Sequence, residues 1–367
     1  MNIPRQYASR FLAALAVAAL AAALPLARTS AQQTSTQQAP AKQRSPNGKI
    51  VFQSTQGGDG FMSDIYVMDA DGKHQTRLTD DVSDDVSAVW SPQGDRIAFL
   101  SARRGNGYEL YLMNADGSNQ HPLRDASPVV PFDGVEWSPD GTRLAYGDGA
   151  DVWVVAAAGS DPAVNVSVNK ATGSFDREPS WSPNGGQLVV RNFTVCGGCS
   201  DLYVVNSFDG GGRYQLSTGP GFDASPRWSP AGNVVAYEAD RNGRGIYVTA
   251  ADGTGAEAQV SGAVGSSGGA VWSPDGTRLA FKSSSSNVYA VNSDGSGLTL
   301  LSDVPADGGS TIFWSPDGTK VGFHGSVANF VDIFVVGADG TARRAVNYTK
   351  SRRDDEFAAS WQKLPTP

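Results

Sequence analysis

A tryptophan-centred motif recurs at nearly constant spacing along this chain. The fullest copies read Trp-Ser-Pro-Asp-Gly-Thr-Arg-Leu-Ala and begin at Trp137 and Trp272. Successive copies are 47, 44, 47, 44, 42 and 47 residues apart. A period in the forties is typical of supersecondary units that bury their apolar faces only by stacking on one another. We therefore expect one closed domain. The copies begin at Trp90, Trp137, Trp181, Trp228, Trp272, Trp314 and Trp361, the last without its Ser-Pro.

Each repeat contains four short extended segments separated by turn signals. In the second unit these segments are residues 86–90, 96–100, 109–114 and 121–124. Pro-x-Gly and Asp-Gly turns join them, because Pro presets φ and Gly accepts positive φ. The third segments, such as Ile-Tyr-Val-Met, are continuously apolar, which indicates sheets buried on both faces. Four-stranded antiparallel sheets packed radially satisfy this demand, so the sequence predicts an all-β fold, a β-propeller.

The chain ends decide the number of blades. Residues 45–52 read as a turn and a second strand with no tryptophan strand before them. Residues 357–361 read as a tryptophan strand with nothing after it. Joining the two completes one unit and leaves no open sheet edge. We therefore predict seven blades, with the ring closed by pairing of the N- and C-terminal strands.

The repeated Trp-Ser-Pro-Asp-Gly, the Ile/Leu-Ala-Phe/Tyr that follows and the later Ile-Tyr-Val-Met-Asp-Ala-Asp-Gly resemble the repeats of TolB-type propellers. The resemblance runs over residues 45–364 and implies a propeller fold and an exported location. It does not imply the role of TolB in the Tol–Pal envelope complex, because the segment before the repeats is too short for the α/β domain of TolB. Similar repeats occur in the propellers of prolyl-oligopeptidase-type peptidases and of oligogalacturonate lyases.

The N-terminal segment has the pattern of a secretory signal. Residues 1–31 carry Arg5 and Arg10, then an apolar run over residues 11–24, then Thr-Ser-Ala before a cleavage point. Fourteen apolar residues are too few to span a bilayer, so we expect no transmembrane span. Residues 32–44 are rich in Gln, Thr and Ala and are predicted to be a flexible leader before the propeller, residues 45–364. The sequence thus predicts a bacterial periplasmic or secreted protein.

Acidic residues recur near the start of the tryptophan strands. Propeller symmetry would bring them to the channel mouth on the face that carries the longer loops, where an acidic ring would attract a cation or a basic peptide. The alternative, which the repeat favours, is that each carboxylate accepts backbone hydrogen bonds and ties neighbouring blades together. The residues are Asp85, Asp133, Asp176, Asp223 and Glu356.

Other chemistry-bearing residues are sparse. The three histidines, His74, His121 and His324, are scattered and are predicted to lie at the surface, so we expect no metal site and no cofactor. Cys196 and Cys199 form a Cys-x-x-Cys in a hairpin loop of an exported chain, which predicts a disulfide. A Gly-x-Ser-x-Gly at residues 265–269 matches the nucleophile-elbow pattern in letters but falls in a connection between blades.

Three classes of function follow, of which the third is a sensory or scaffold domain whose catalytic partner is a separate protein. Connections between second and third strands, such as residues 54–63 and 191–200, are longer and more varied than the tight turns at the opposite face. Function is therefore expected on this long-loop face. We predict a non-catalytic, monomeric module that binds another envelope or secreted protein; the alternative is a channel-mouth enzyme, such as a carbohydrate-active hydrolase or lyase, that uses carboxylates. A net charge of −8 and a pI near 4.9 argue against nucleic acid.

Overall fold

The structure is a computed structural model. It describes residues 47–56, 62–105, 107–123, 134–168, 170–194, 199–241, 243–302, 304–306, 311–327, 330–341, 346–347 and 356–364. Within these ranges the chain forms 28 strands, numbered in chain order, in seven four-stranded sheets.

The first sheet, blade 1, combines both ends of the described chain. Its order is β28 (Glu356–Lys363), β1 (Asn47–Ser54), β2 (Asp64–Met68) and β3 (Thr76–Arg77). Blade 2 contains β4 (Asp85–Trp90), β5 (Arg96–Ser101), β6 (Glu109–Asn114) and β7 (His121–Pro122). Blade 3 contains β8 (Val135–Trp137), β9 (Arg143–Gly147), β10 (Val152–Ala156) and β11 (Val164–Asn165). Blade 4 contains β12 (Phe175–Trp181), β13 (Gln187–Phe193), β14 (Ser200–Asn206) and β15 (Tyr214–Gln215).

The remaining three sheets repeat the same order. Blade 5 contains β16 (Asp223–Trp228), β17 (Val234–Asp240), β18 (Arg244–Ala250) and β19 (Ala258–Gln259). Blade 6 follows a short 3-10 helix, Gly262–Val264, and contains β20 (Val271–Trp272), β21 (Arg278–Lys282), β22 (Val288–Asn292) and β23 (Thr299–Ser302). Blade 7 contains β24 (Ile312–Trp314), β25 (Lys320–Val327), β26 (Phe330–Gly337) and β27 (Val346–Asn347).

The tryptophan strands form the inner edge of the ring. Each is the first strand of its sheet, and first strands of successive blades contact one another, as β8 contacts β12 and β28 contacts β4. All strand pairs in the seven sheets are antiparallel, and Ile50 pairs with Trp361 where the two chain ends meet. The structure confirms the predicted fold: seven four-stranded blades with a closing blade shared by both ends.

The apolar core is divided among the junctions between blades. In the described part of the chain seven clusters of buried side chains occur, and each joins two neighbouring sheets. At the junction of blades 2 and 3, for example, Leu100 and Leu112 pack with Trp137 and Tyr146. This arrangement explains why the third strands are apolar on both faces, since each sheet is covered twice.

The Trp-Ser-Pro-Asp-Gly motif is a tight turn held by its own side chains. In blade 3 the Ser138 hydroxyl donates to Asp140 Oδ1 at 2.6 Å, and Thr142 N–H donates to the same oxygen at 3.0 Å. Gly141 has φ of 68°, a left-handed conformation that suits glycine. The same bonds recur at Asp275 and Asp317. The polar side chains of the repeat therefore stabilise the turn.

The repeat tryptophan also joins one blade to the next. The indole N–H of Trp137 donates to the carbonyl of Val89 at 3.3 Å, and that of Trp181 donates to the carbonyl of Glu136 at 3.1 Å. Trp272 and Trp314 make the corresponding bonds at 2.9 and 3.1 Å. An arginine of the preceding blade stacks on the ring, as Arg143 does on Trp181 at 4.8 Å.

One expectation about the histidines is wrong. His74 and His121 are exposed, as predicted, but His324 lies within β25 and is only 1% exposed. The strand extends further than its sequence pattern indicated, because the pairing of β25 with β26 continues to Val327 and Phe330. Residues 1–31, the leader, and residues 45–46 lie outside the described residues, so the signal and leader assignments stay predictions.

Gln362 is expected to stabilise the closing blade through two buried hydrogen bonds. Its Oε1 accepts from Lys49 N–H at 2.9 Å, and its Nε2 donates to the carbonyl of Gly94 in blade 2 at 2.6 Å. Gln362→Ala would leave both backbone groups unsatisfied, so the free energy of unfolding should fall by about 1–3 kcal/mol. Chemical denaturation measures the loss. The exposed Gln215→Ala serves as control, and equal stability of the two variants would contradict this role.

Candidate functional site

Three of the predicted acidic residues occupy equivalent places in the ring. Asp85, Asp176 and Asp223 each stand at or next to the start of a tryptophan strand, on the long-loop face. Each of the three side chains is fully buried and forms an ion pair with an arginine of its own blade. Asp133 and the side chain of Glu356 lie outside what the structure describes. The hypothesis of a cation-attracting acidic ring stays a prediction.

Asp176 has the most complete set of partners. Its two carboxylate oxygens accept from both terminal nitrogens of Arg213, at 2.8 and 2.9 Å. Asn192 donates to Oδ1 at 2.6 Å from the paired strand β13. The Arg213 guanidinium in turn lies 4.2 Å from the centre of the Tyr203 ring. A bidentate, stacked arginine compensates a buried carboxylate effectively, because both planar groups match in geometry.

Asp85 and Asp223 follow the same plan with a different source of arginine. Arg103 pairs with Asp85 and Arg241 pairs with Asp223, each at 2.8 Å, from the end of the second strand. Burial raises the pKa of Asp85 and of Asp223, while the neighbouring guanidinium lowers it. These carboxylates therefore depend on their arginines for compensation of a buried charge.

Neutralising Asp176 is expected to destabilise the fold. Asp176→Asn leaves Arg213 buried without its anion, so the free energy of unfolding should fall by about 3 kcal/mol. The double variant Asp176→Leu with Arg213→Met removes both charges and should recover most of that loss. The exposed Asp161→Asn is the control in the same denaturation measurement. Unchanged stability of Asp176→Asn would favour the alternative, a carboxylate kept for a ligand.

A cavity lies among the first strands of blades 3, 4 and 5. Its volume is about 260 Å³, and its walls carry two carboxyl groups and one guanidinium. Because first strands form the inner edge of the ring, this is a compartment of the central channel, and we call it the central cavity. Its lining residues are Gly134, Val135, Glu136, Glu178, Pro179, Ser225 and Arg227.

Backbone bulges shape the wall of the central cavity. The pairing of β12 with β13 shifts register between Arg177 and Ser180, and that of β16 shifts in the same place. Glu178 and Ser225 sit in these bulges with positive φ values of 53° and 50°. Glu178 Oε2 accepts from Ser225 N–H at 2.6 Å, and its Oε1 accepts from Arg191 at 2.9 Å. Glu178 is thus held by the next blade and by β13.

Glu136 differs from Glu178 because no direct ion pair within the described part of the chain matches its charge. Its Oε2 accepts from Trp181 N–H at 3.2 Å. Burial raises the pKa of Glu136 to about 7, against the opposing effects of the Arg227 charge and the hydrogen bonds from Trp181 and Ser180. A pKa near 7 leaves this carboxyl partly protonated at neutral pH; such shifts occur at functional sites and at buried structural groups alike.

The sequence carried a signal for this cavity that the repeat concealed. Glu136 and Arg227 each stand immediately before a repeat tryptophan. The residue at this position differs from blade to blade, whereas the tryptophan and the turn after it recur. A charged residue directly before the repeat tryptophan is therefore a sequence signal for a residue that lines the channel. The seven residues are Val89, Glu136, Ser180, Arg227, Val271, Phe313 and Ser360.

Replacing Glu136 by glutamine is expected to change how stability depends on pH. A carboxyl whose pKa rises from 4.5 to about 7 on folding binds more protons in the folded state, so it destabilises the fold progressively as pH rises through that window. Glu136→Gln should match the parent protein near pH 4.5 and exceed it above pH 7, by at most about 3 kcal/mol. Urea denaturation from pH 4.5 to 8.5 tests this, with Glu109→Gln as control. A difference that does not vary with pH would contradict the assignment.

A second feature lies on the long-loop face of blades 4 and 5. Arg191 stacks on Phe193 at 4.0 Å and reaches Phe222 at 5.7 Å. Arg177 lies over Phe193 at 5.5 Å, and Arg244 lies over Phe222 at 4.6 Å. Phe175, paired with Phe193 across the two strands, is 45% exposed. We call this the Phe–Arg patch; its members are Phe175, Arg177, Arg191, Phe193, Phe222 and Arg244.

The remaining predicted sites are only partly covered by the structure. Cys199 is exposed, and Cys196 lies outside the described residues, so the disulfide stays a prediction. Within the described ranges no group of three or more His, Cys, Asp or Glu side chains is placed to hold a metal ion. In the same ranges no helix has the length and apolar character needed to cross a membrane.

The closed ring of seven four-stranded sheets defines this protein as a seven-bladed β-propeller. Residues 104–361 match the family of the TolB beta propeller domain. That match covers well over half of the chain, so the protein belongs to this family. A search of curated proteins finds none that matches the chain.

Solved structures with the same fold differ in what they do. TolB from Acinetobacter baumannii is 14% identical with a TM-score of 0.54, over 86% of this chain and 66% of that one. An oligogalacturonate lyase in complex with manganese is 16% identical with a TM-score of 0.61, over 83% and 87%. A puromycin-hydrolyzing peptidase from Mycobacterium tuberculosis is 16% identical with a TM-score of 0.62, over 87% and 53%.

At these identities the likeness shows the fold alone. The chain spans just under two thirds of the TolB structure and about half of the peptidase. Because these structures include both TolB and enzymes, the fold does not fix the function, which depends on the sites of the individual chain.

Proposed function

We propose that this protein is an exported binding module that docks another protein through the long-loop face of its propeller. The observation that carries the proposal is the Phe–Arg patch, where three phenylalanines and three arginines are gathered at the ends of blades 4 and 5. The signal-like residues 1–31 support an exported location. The partner would then be another periplasmic or secreted protein.

The composition of the patch supports protein binding. Aromatic residues and arginine are enriched in interfaces and dominate their binding energy, because they bury large areas and still offer directed polar groups. Stacking on phenylalanine holds the guanidinium planes of Arg191 and Arg244 in place before any partner arrives. Preorganised side chains lose less conformational entropy on binding.

The charge of the patch indicates the chemistry of the partner. Arg191 is neutralised by Glu178, but Arg244 is exposed and forms no ion pair within the described part of the chain. Arg244 therefore places a positive charge beside the ring of Phe222, in a protein of net charge −8. A partner segment that offers an acidic side chain next to apolar groups would complement it.

Other apolar side chains on the same face extend the contact area. Val168 lies in the connection that leads into blade 4 and is 39% exposed. Met62 and Val82 lie in long-loop connections of blades 1 and 2, across the ring from the patch, and are 43% and 91% exposed. A stable interface needs about 800 Å² from each partner, so a partner that covers the whole long-loop face would contact both groups.

An enzyme acting in the channel is the second candidate, and Glu136 favours it. A carboxyl with a pKa near 7 suits a general acid, and Glu178 places a second carboxylate in the same cavity. Glycoside hydrolysis uses such pairs. Both oxygens of Glu178 are already occupied by Arg191 and Ser225 N–H, which weakens the case for a nucleophile. Turnover of a glycan panel that is lost in Glu136→Gln would support this candidate.

Disrupting the Phe–Arg patch is expected to abolish partner capture without unfolding the ring. Purified protein carrying Phe175→Ser with Arg244→Glu should retain its melting temperature, because both side chains are exposed. Capture of a stoichiometric partner from the periplasmic or secreted fraction, measured by quantitative mass spectrometry, should fall at least about tenfold. Phe208→Ser with Lys73→Glu makes matched changes on the opposite, tight-turn face and should capture normally.

The outcomes separate the hypotheses. Loss of capture only in the tight-turn variant would move the interface to the other face. Equal capture by all variants would remove the Phe–Arg patch as the docking site.

A further inference from the structure

Arg227 has more hydrogen-bond donors than the protein around it uses. Its guanidinium carries five N–H groups, and in the part of the chain that the structure describes it donates one hydrogen bond, to the carbonyl of Pro226 at 3.0 Å. No carboxylate within those ranges forms an ion pair with it. It is half-buried and lines the central cavity beside Glu136 and Ser225. A confined guanidinium with unused donors is suited to an anion.

The neighbouring groups restrict which anion can enter. Glu178 also lines the cavity, but its charge is held by Arg191 of β13, and its second oxygen accepts from Ser225 N–H. Among the described residues, Glu136 is the one lining carboxyl that forms no ion pair. A dianion would face Glu136 with a single guanidinium to balance it, whereas a monoanion is matched by that guanidinium.

The cavity's size and polarity restrict the ligand further. A volume of about 260 Å³ holds a small molecule, and lies just below the range typical of drug-sized ligands. Val135 and Pro179 supply apolar wall, so a short carbon chain or one hydroxyl-bearing carbon is accommodated beside the charged end. The planar fork of a guanidinium binds a carboxylate through two parallel hydrogen bonds.

We propose that the central cavity binds a small monocarboxylate, whose carboxylate is held by the Arg227 guanidinium and lies against the carboxyl group of Glu136. The site is independent of the Phe–Arg patch and holds whether or not the long-loop face docks a protein.

Proton binding at Glu136 is coupled to occupancy of this site. The charged groups facing Glu136 are Arg227 of β16 and, across the cavity, Glu178 of β12 with its partner Arg191; the other lining residues carry no charge. A protonated Glu136 donates a hydrogen bond to the ligand, and an ionised one repels it. Because burial raises the pKa of Glu136 to about 7, affinity should be about tenfold lower at pH 8 than at pH 6.

The experiment compares carboxylates with their neutral isosteres. Lactate and propionate are titrated against lactamide, propionamide and inorganic phosphate at pH 6 and pH 8, by calorimetry and by the shift in melting temperature of the full-length protein. Lactate and propionate should bind saturably and more tightly at pH 6, while the amides and phosphate should bind at least about tenfold more weakly.

Two variants and one control assign the residues. Arg227→Gln should lose carboxylate affinity by about tenfold or more while Arg244→Gln, outside the cavity, keeps it. Glu136→Gln should bind at both pH values with the affinity of the parent protein at pH 6, since the amide donates without titrating. Saturable binding that survives Arg227→Gln, preference for the amides or phosphate, or no saturable carboxylate binding would each overturn the proposal.

Discussion

The ring depends on one hydrogen bond that is repeated between neighbouring blades. The donor is the indole N–H of a repeat tryptophan. The acceptor is a backbone carbonyl of the previous blade, that of the residue just before its own repeat tryptophan. Trp137, Trp181, Trp272 and Trp314 all make it, whereas the indole N–H of Trp228 donates to the carbonyl of Gly232 in its own blade at 3.2 Å. The indole simultaneously fills the apolar junction between two sheets. One side chain thus satisfies packing and a buried donor together, which no aliphatic residue could do.

The closing junction solves the same problem differently. In the described structure the indole N–H of Trp90, which follows the shared blade, meets no acceptor. Trp361 donates instead to the carbonyl of Gly48 within its own blade, and Gln362 bridges to Gly94 of blade 2. A shared blade lacks a covalent link between its first two strands, so the pairing of β28 with β1 holds it together, while the packing of Phe313 on Trp361 joins it to blade 7.

Much of this architecture could be predicted from the sequence because the frame repeats. Trp-Ser-Pro-Asp-Gly forms a turn through hydrogen bonds between residues that are close in sequence, so the turn can be predicted from the motif alone. The arginine partners of Asp85, Asp176 and Asp223 were not predictable, since Arg213 comes from before the outer strand and Arg103 from after the second strand. The arginine of a buried ion pair can come from any position in the sequence whose side chain reaches the carboxylate in the folded protein. The burial of His324 was missed for a related reason: pairing with β26, and not the local pattern, extends β25.

The position before each repeat tryptophan has two roles, one for its backbone carbonyl and one for its side chain. At Val89, Glu136, Arg227 and Val271 the backbone carbonyl accepts from the next blade's indole N–H, a contact that any residue type can provide. The side chain at this position is not fixed by that contact and differs between blades. Glu136 and Ser180 use it to accept from the backbone N–H of the next tryptophan, and Glu136 and Arg227 line one cavity. A propeller of this kind can change the chemistry of its channel while the indole–carbonyl hydrogen bonds between blades are kept. In such a chain, candidate functional residues therefore include those immediately before each repeat tryptophan as well as those in the loops.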